Sequence, residues 1–202
     1  MFIYLLVIIL STAIVGVLNA FFNPSVASNP WYYYIIMSVV YTISLIAVDA
    51  VVALVIRHLP SKFFPMNKRT YCLSPREKVL YEKIGVKKWK DKLPELGGFT
   101  SFHKDKIANP FDNQYIDRFI LEACYGISIH YWSVPFGFLV ILLDYKMYMG
   151  GSNLWWTMAI PLCCVNAVLV VLPAFILKYN LPKLKKIREH NLRLAATEKS
   201  PN

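Results

Sequence analysis

Four long apolar stretches dominate this sequence and limit what it can fold into. A helix needs about 20 apolar residues to cross the hydrocarbon core of a bilayer, whereas buried helices of soluble proteins rarely keep more than about 14 in succession. With 56% hydrophobic residues and a mean hydropathy of +0.43, the chain has more apolar side chains than a soluble core can bury. We therefore expect an all-α integral membrane protein, a single membrane domain over 1–202. Its predicted transmembrane helices are about 2–22, 33–56, 119–143 and 154–177.

The first stretch has one alternative interpretation, a cleaved secretory signal peptide. Leu18-Asn19-Ala20 resembles a cleavage site. However, no Lys or Arg precedes the apolar run, the run is longer than the apolar region of a typical signal peptide, and a second span follows it. These features favour an uncleaved first transmembrane helix.

The positions of the basic residues predict the orientation in the membrane. Fourteen of the 22 Lys and Arg residues lie between Arg57 and Arg118, and seven lie between Lys178 and Lys199. Short segments rich in Lys and Arg stay in the cytoplasm. We therefore expect a multi-pass protein of the cell membrane with both termini, the segment 57–118 and a basic tail at 178–202 on the cytoplasmic side.

The formal charge of +10 indicates that the protein binds a negatively charged partner. The basic residues flank the spans and alternate with acidic ones, so membrane lipids are the expected partner and nucleic acid is not. The same surface could hold the phosphates of a soluble acyl thioester of coenzyme A. The cysteines form no CxxC pair and have no histidine at ligand spacing, so neither a metal site nor a bound cofactor is expected.

The cytoplasmic segment contains helix signals of its own. Ser74-Pro75-Arg76-Glu77 has the pattern of a capping box with proline at the first helical position. Leu80 and Ile84 then share one face, and we expect the helix to continue to about Pro94. It is predicted either to lie in the membrane interface or to pack on the other helices.

A second helix is predicted to begin near Asn109-Pro110 and Asp112 and to run into the third span. The tail is polar, and we expect disorder beyond about Ala196. The apolar positions of the second helix recur at steps of three and four residues: Ile116, Phe119, Ile120, Cys124 and Ile127.

Ionisable residues within the apolar stretches are the candidates for chemistry, because a charged side chain at that depth costs at least about 2.5 to 3.5 kcal/mol. His130 lies in the third span, Glu122 at its cytoplasmic mouth, and Asp49 near the cytoplasmic end of the second. Helical geometry separates Glu122 and His130 by about 12 Å along the axis and about 80° around it. They can therefore line one cleft but cannot touch.

Each candidate also has a structural interpretation. A neutral histidine can take a proton from an attacking hydroxyl, as acyl transfer requires; alternatively, His130 only forms a hydrogen bond to a neighbouring helix. Asp49 can likewise form an ion pair with Arg57 or an interfacial lysine. No HxxxxD, GxSxG, HExxH or Walker motif occurs, so the motifs of soluble enzymes indicate no reaction.

Three segments resemble one family in their order and spacing. They are Trp89-Lys90-Asp91-Lys92-Leu93-Pro94, the Glu122–His130 pair and Lys178-Tyr179-Asn180-Leu181-Pro182-Lys183-Leu184. They are similar to the glycosyl-4,4'-diaponeurosporenoate acyltransferases, small membrane proteins that add a fatty acyl chain to a glycosylated carotenoid. The resemblance covers about residues 80–187.

The resemblance implies an acyltransferase that uses an acyl thioester donor and a lipid or glycolipid acceptor. His130 would then be the general base and Glu122 its orienting partner. The residues implied in substrate binding are Trp89, Lys90, Lys178, Tyr179 and Asn180.

Two other functions remain open. A non-catalytic subunit or scaffold would use the basic surface to bind anionic lipid or a membrane protein partner. It is favoured by Cys124, Tyr125 and Ile127, which replace two basic residues and a second glutamate of the family pattern. A lipid methyltransferase would have a similar size and helix content, but no cofactor motif supports it.

Overall fold

The computed structural model describes residues 2–23, 29–90, 107, 109–144 and 153–198. Within these residues all regular structure is helical, which confirms the all-α class. Short 3-10 turns occupy Ser61–Phe63 and Arg69–Tyr71, a 3-10 helix follows α5 at Phe138–Leu143, and a π-helical turn at Trp155–Ala159 leads into α6. The α-helices are α1 (Phe2–Phe22), α2 (Trp31–His58), α3 (Pro75–Lys83), α4 (Val86–Trp89), α5 (Asn113–Gly137) and α6 (Ile160–Glu198).

In the part of the chain that the structure describes, four helical segments are long and apolar enough to cross a membrane. They contain α1, α2, α5 with its 3-10 extension, and α6 with the preceding π-helical turn. On α1 and α2, large apolar side chains such as Ile9, Phe21 and Ile43 remain more than half exposed. Such exposure is costly in water and favourable in hydrocarbon, so the protein is a membrane protein.

The chain divides into two compact units, and α5 and α6 contribute residues to both. One, here called the basic unit, contains Arg57–Ser128 and Leu172–Asn202. The other, the apolar unit, contains Phe2–Ile56 and Ile129–Val171.

In the apolar unit, α1 and α2 approach closely at Gly16. A Cβ added to Gly16 would lie 2.6 Å from Ser38 Oγ and 3.2 Å from Ile35 Cδ1. One turn earlier on α1, the Thr12 and Thr42 hydroxyls are hydrogen-bonded at 2.8 Å. Small residues at such a crossing let two helices pack closely, which is how helices associate in the absence of a hydrophobic driving force.

The core of the apolar unit is formed where α2 meets residues of the third and fourth spans. Its largest fully buried side chains include Tyr34, Tyr41 and Met158. The thiol of Cys163 on α6 lies 3.5 Å from the carbonyl oxygen of Gly137 at the end of α5. Cys163 thus packs as a small apolar residue, as is usual for a buried free cysteine.

In the basic unit, α3 begins at the predicted capping box. The Ser74 hydroxyl accepts a hydrogen bond from the backbone N–H of Glu77 at 3.2 Å, and the Glu77 carboxylate accepts one from the N–H of Ser74 at 2.9 Å. The expectation of one helix to about Pro94 is wrong, because α3 ends at Lys83 and Gly85 adopts φ 70° before α4 begins. A left-handed residue stops the α-helical hydrogen-bond pattern, and glycine adopts that conformation without steric cost.

The helix that opens at Asp112 follows the predicted pattern. Asp112 Oδ1 accepts hydrogen bonds from the N–H groups of Gln114 and Tyr115, so it caps α5. The predicted apolar face is buried at four of its five positions, with Phe119 half-buried. The four are Ile116, Ile120, Cys124 and Ile127, none more than 1% exposed.

Helix α6 continues to Glu198, two residues past Ala196, and residues 199–202 of the expected disordered end lie outside the described residues. Arg188 forms an ion pair with Asp117 of α5, and the Asn191 amide donates a hydrogen bond to the Pro110 carbonyl at 2.7 Å. Asn191 is only 6% exposed. These contacts hold a polar sequence in a helix for which its composition gives no indication.

Replacing Gly16 by leucine should destabilise the protein by about 1 to 3 kcal/mol, because the added side chain would overlap Ser38 and Ile35 and force α1 and α2 apart. The measurement is the midpoint of SDS-induced unfolding in mixed micelles. Ala50→Leu, on an exposed position of α2, is the matched control and should change the midpoint little. Equal effects of the two substitutions would contradict a close crossing at Gly16.

Candidate functional site

Two of the predicted substrate-binding residues, Trp89 and Tyr179, lie together in the basic unit. Both pack against a small core of Tyr81, Val86 and Ile176, none of which is more than 5% exposed. The Trp89 indole N–H donates to the Ile84 carbonyl at 3.0 Å. This fixes the indole ring against the C-terminal end of α3.

The same core determines how α3 packs. Tyr81 is 2% exposed and its ring lies 4.8 Å from that of Phe175 on α6. Val79, Leu80 and Ile84 are between 42% and 65% exposed. Helix α3 therefore packs on α6 through Tyr81, and the predicted Leu80–Ile84 face points outward.

Lys178, another predicted binding residue, is buried in an ion pair. Its side chain is 5% exposed, and Nζ lies 2.6 Å from Glu77 Oε1. Glu77 therefore has two roles, since it also completes the capping box of α3. Lys178 holds α3 on α6, and its ammonium group is directed at a protein carboxylate.

The last two predicted binding residues, Lys90 and Asn180, directly follow α4 and Tyr179 in the chain. Lys90 is the C-cap of α4 and is half-buried. Asn180 is half-buried on α6. The structure thus brings Trp89 and Tyr179 into one cluster and assigns Lys178 to Glu77.

Glu122 has two arginine partners. Oε2 lies 3.1 Å from Arg57 Nη1, and Oε1 lies 2.7 Å from Arg118 Nη2. The Glu122 side chain is 10% exposed, whereas the arginines are 43% and 58% exposed. Both oxygens of Glu122 are thus committed to guanidinium groups within the basic unit.

Asp49 does not form the ion pair with Arg57 that was one interpretation of the sequence. Its Oδ2 accepts a hydrogen bond from the Asn166 amide at 3.2 Å, and the Ser133 side chain lies beside the same carboxyl group. Oδ1 is buried and has no hydrogen-bond partner among the described residues. The Asp49 carboxyl thus joins α2 to α5 and α6 inside the apolar unit.

His130 lies on α5 in the apolar unit and is half-buried. Ser133 is three residues further on, so the two side chains are neighbours on the same helix surface. Because Ser133 is 1% exposed and lies beside Asp49, this turn of α5 packs against α2. Glu122, the predicted orienting partner of His130, belongs to the other unit, the basic unit.

The model of one protein family matches residues 60–190, about two thirds of the chain. It describes the glycosyl-4,4'-diaponeurosporenoate acyltransferases. The chain belongs to this family. No curated protein and no solved structure matches it.

The region that matches the acyltransferase family includes most of the site residues. Glu122, His130 and Lys178 lie inside it, as does the α3–α4 segment. Arg57 and Asp49 lie outside it, on α2. The matched region therefore contains His130, the predicted general base. It does not contain Arg57 and Asp49, which contact other residues of the site.

Several residues of the candidate site were not predicted from the sequence. Arg118 stands four residues before Glu122, a spacing typical of helical ion pairs, so the sequence did contain that signal. Tyr71 is 2% exposed, and its hydroxyl is 2.7 Å from that of Ser128 on α5. Nothing in the sequence pairs Arg57, Glu77 or Tyr71 with their partners, which are 57 to 101 residues away.

Replacing Glu77 by alanine should cost about 2 to 3 kcal/mol, because it leaves the buried Lys178 ammonium without its carboxylate. The matched control is Glu82→Ala on the same helix, whose pair with Lys78 is 4.0 Å long and solvent-exposed. It should cost less than about 0.5 kcal/mol. SDS-induced unfolding measures both, and similar losses would mean that Lys178 does not depend on Glu77.

Acid should weaken the same contact. Burial alone would raise the pKa of Glu77, but hydrogen bonds from Lys178 and Ser74 outweigh it and lower the pKa below the ordinary value. The carboxylate therefore stabilises the fold above the ordinary glutamate range, and this contribution is lost as the pH falls through the lowered pKa.

The wild type should accordingly be more stable than Glu77→Gln at pH 7, and the difference should narrow below about pH 4. Unfolding midpoints across this pH range measure it. A difference that grows on acidification would contradict the lowered pKa.

Proposed function

We propose that the protein is a membrane acyltransferase that moves a fatty acyl chain from a soluble acyl thioester to a hydroxyl group of a lipid or glycolipid. The observation that carries the proposal is the family match over residues 60–190, which includes His130 on a helix apolar enough to span the membrane. A lipid acceptor would reach such a residue from within the bilayer. Both substrates would be brought by the membrane and its cytoplasmic surface, so no bound cofactor is required.

In this proposal His130 is the general base. The acceptor hydroxyl oxygen attacks the thioester carbonyl carbon while the imidazole takes the hydroxyl proton. The tetrahedral intermediate then collapses, the carbon–sulfur bond breaks, and the imidazolium returns the proton to the departing thiolate. The products are an ester and a free thiol, and His130 is regenerated.

The surroundings of His130 support this role. The hydrogen bond from Asn166 to Asp49 joins α6 to α2, and buried Ser133 of α5 lies beside the same carboxyl group. A base must be fixed within a few tenths of an ångström to act on a bound hydroxyl. We assign these three residues a positioning role.

The basic unit is proposed to face the cytoplasm, with both termini on that side. The support is the concentration of Lys and Arg in residues 57–118 and 178–199. In this orientation Trp89 and Tyr179 would lie at the depth of the lipid headgroups, where aromatic side chains are favoured. They are the proposed contacts for the sugar or headgroup of the acceptor.

A non-catalytic subunit is the alternative. The contacts that favour it are those that tie Glu122 and Lys178 to protein partners, since Glu122 was predicted to orient His130 and Lys178 to bind substrate. Such a subunit would depend on Trp89 and the exposed lysines for binding lipid or another membrane protein, and not on His130.

Replacing His130 by alanine should lower acyl transfer at least about 100-fold, the usual contribution of a general base. The measurement is lipid mass spectrometry on membranes from cells with the wild-type protein, cells without it, and cells with His130→Ala at equal level. The expected result is a lipid that differs by one acyl chain and is missing from the last two. His190→Ala is the matched control, because His190 is exposed near the end of α6.

Unchanged lipids in all strains, with the protein expressed and inserted, would contradict the transferase proposal. An acylated lipid that depends on the protein but not on His130 would retain the reaction and reject the base. Loss of a partner complex in Trp89→Ala, with normal lipids in His130→Ala, would favour the subunit.

A further inference from the structure

The charges around Glu122 do not balance. Among the described residues of the basic unit, the other two long-range ion pairs, Lys178–Glu77 and Arg188–Asp117, each join one cation to one carboxylate. At Glu122 a single carboxylate joins Arg57 and Arg118. One positive charge is therefore left over where two guanidinium groups are held side by side.

The exposure of the three side chains shows which groups remain accessible. The carboxylate is 10% exposed, whereas Arg57 and Arg118 are 43% and 58% exposed. A guanidinium group has five N–H donors, and the closest contact of each arginine with Glu122 uses a single nitrogen. The covered carboxylate therefore holds two arginines whose side chains remain accessible.

The two arginines come from different helices. Arg57 is in the last turn of α2, and Arg118 is in the second turn of α5. The first N–H groups of α5 are already occupied by the N-cap Asp112, which accepts hydrogen bonds from Gln114 and Tyr115. The guanidinium groups, and not the helix ends, are therefore the donors that would bind an anion at Glu122.

We propose that Arg57 and Arg118, held by Glu122, form a binding site for a phosphate group. Two adjacent planar donors match the oxygens of a phosphate, and arginine binds phosphate through paired hydrogen bonds. Glu122 is a positioning residue in this site. The phosphate can come from a soluble acyl thioester of coenzyme A or from the headgroup of an anionic lipid. Only the first source rests on the proposed function.

The first arm of the test measures binding of coenzyme A to the full chain in phosphatidylcholine nanodiscs by calorimetry. Arg57→Gln and Arg118→Gln should each weaken binding at least about tenfold, the effect of losing charge-assisted hydrogen bonds to one phosphate. Arg193→Gln, an exposed arginine of α6, is the matched control and should bind as the wild type does. His130→Ala should also bind normally, so this result is separate from any failure of catalysis.

The second arm uses nanodiscs that contain phosphatidylcholine and phosphatidylglycerol. After the protein is released from them, native mass spectrometry measures how much phosphatidylglycerol stays bound to it. A lipid phosphate predicts that the two arginine variants lose phosphatidylglycerol while Arg193→Gln keeps it. Loss in the coenzyme A arm alone identifies the soluble source, and loss in the lipid arm alone identifies the headgroup. Unchanged binding in both arms, with the variants folded, would overturn the site.

The positioning role of Glu122 has its own readout. Removing a negative charge strengthens anion binding if charge alone matters, whereas Glu122→Gln should weaken it several-fold because the guanidinium groups lose their orientation. Glu82→Gln, which removes an exposed carboxylate from α3, is the matched control and should not weaken binding. Stronger binding in Glu122→Gln would refute the positioning role.

Discussion

Polar groups within long apolar helices must find their partners in the protein, because hydrocarbon offers no hydrogen bonds. Asp49 meets this constraint at Oδ2, which accepts from Asn166, and Ser133 lies beside the same carboxyl group, so that the three residues join α2, α5 and α6. Lys178 meets it with Glu77, which also starts α3. Each of these polar contacts therefore has a structural role: it decides which helix surfaces meet.

This constraint also shapes the functional residues. Lys178 was a candidate for substrate binding, but its burial and its 2.6 Å contact with Glu77 make it the link between α3 and α6. The free donors instead belong to Arg57 and Arg118, which remain exposed beside a covered carboxylate. In our proposals the two arginines beside Glu122 bind an anion, whereas His130 transfers the proton.

Local patterns were read correctly where the signal lies within a few residues. The capping box at Ser74 and the apolar face of α5 depend on spacings of three and four residues, which the sequence shows directly. The end of α3 was misjudged because glycine is compatible with a helix, and only the φ of 70° at Gly85 reveals that it stops one. The contacts of Arg188 with Asp117 and of Asn191 with Pro110 were not predicted, because they join residues that are 71 and 81 positions apart in the chain.

The sequence by itself determined the membrane class, the four apolar helices, the family and the position of His130 along the third span, since these follow from the length of apolar runs and from motifs of fixed spacing. Only the tertiary structure decided that Asp49 meets Asn166, that Glu122 meets Arg57 as well as Arg118, and that Lys178 meets Glu77. Hydrogen bonds and ion pairs depend on distances of a few ångströms between groups that are far apart in the chain, and apolar helices of similar composition can pack in many registers. The proposed phosphate site is of this kind, because Arg57 and Arg118 are brought together only by their shared carboxylate.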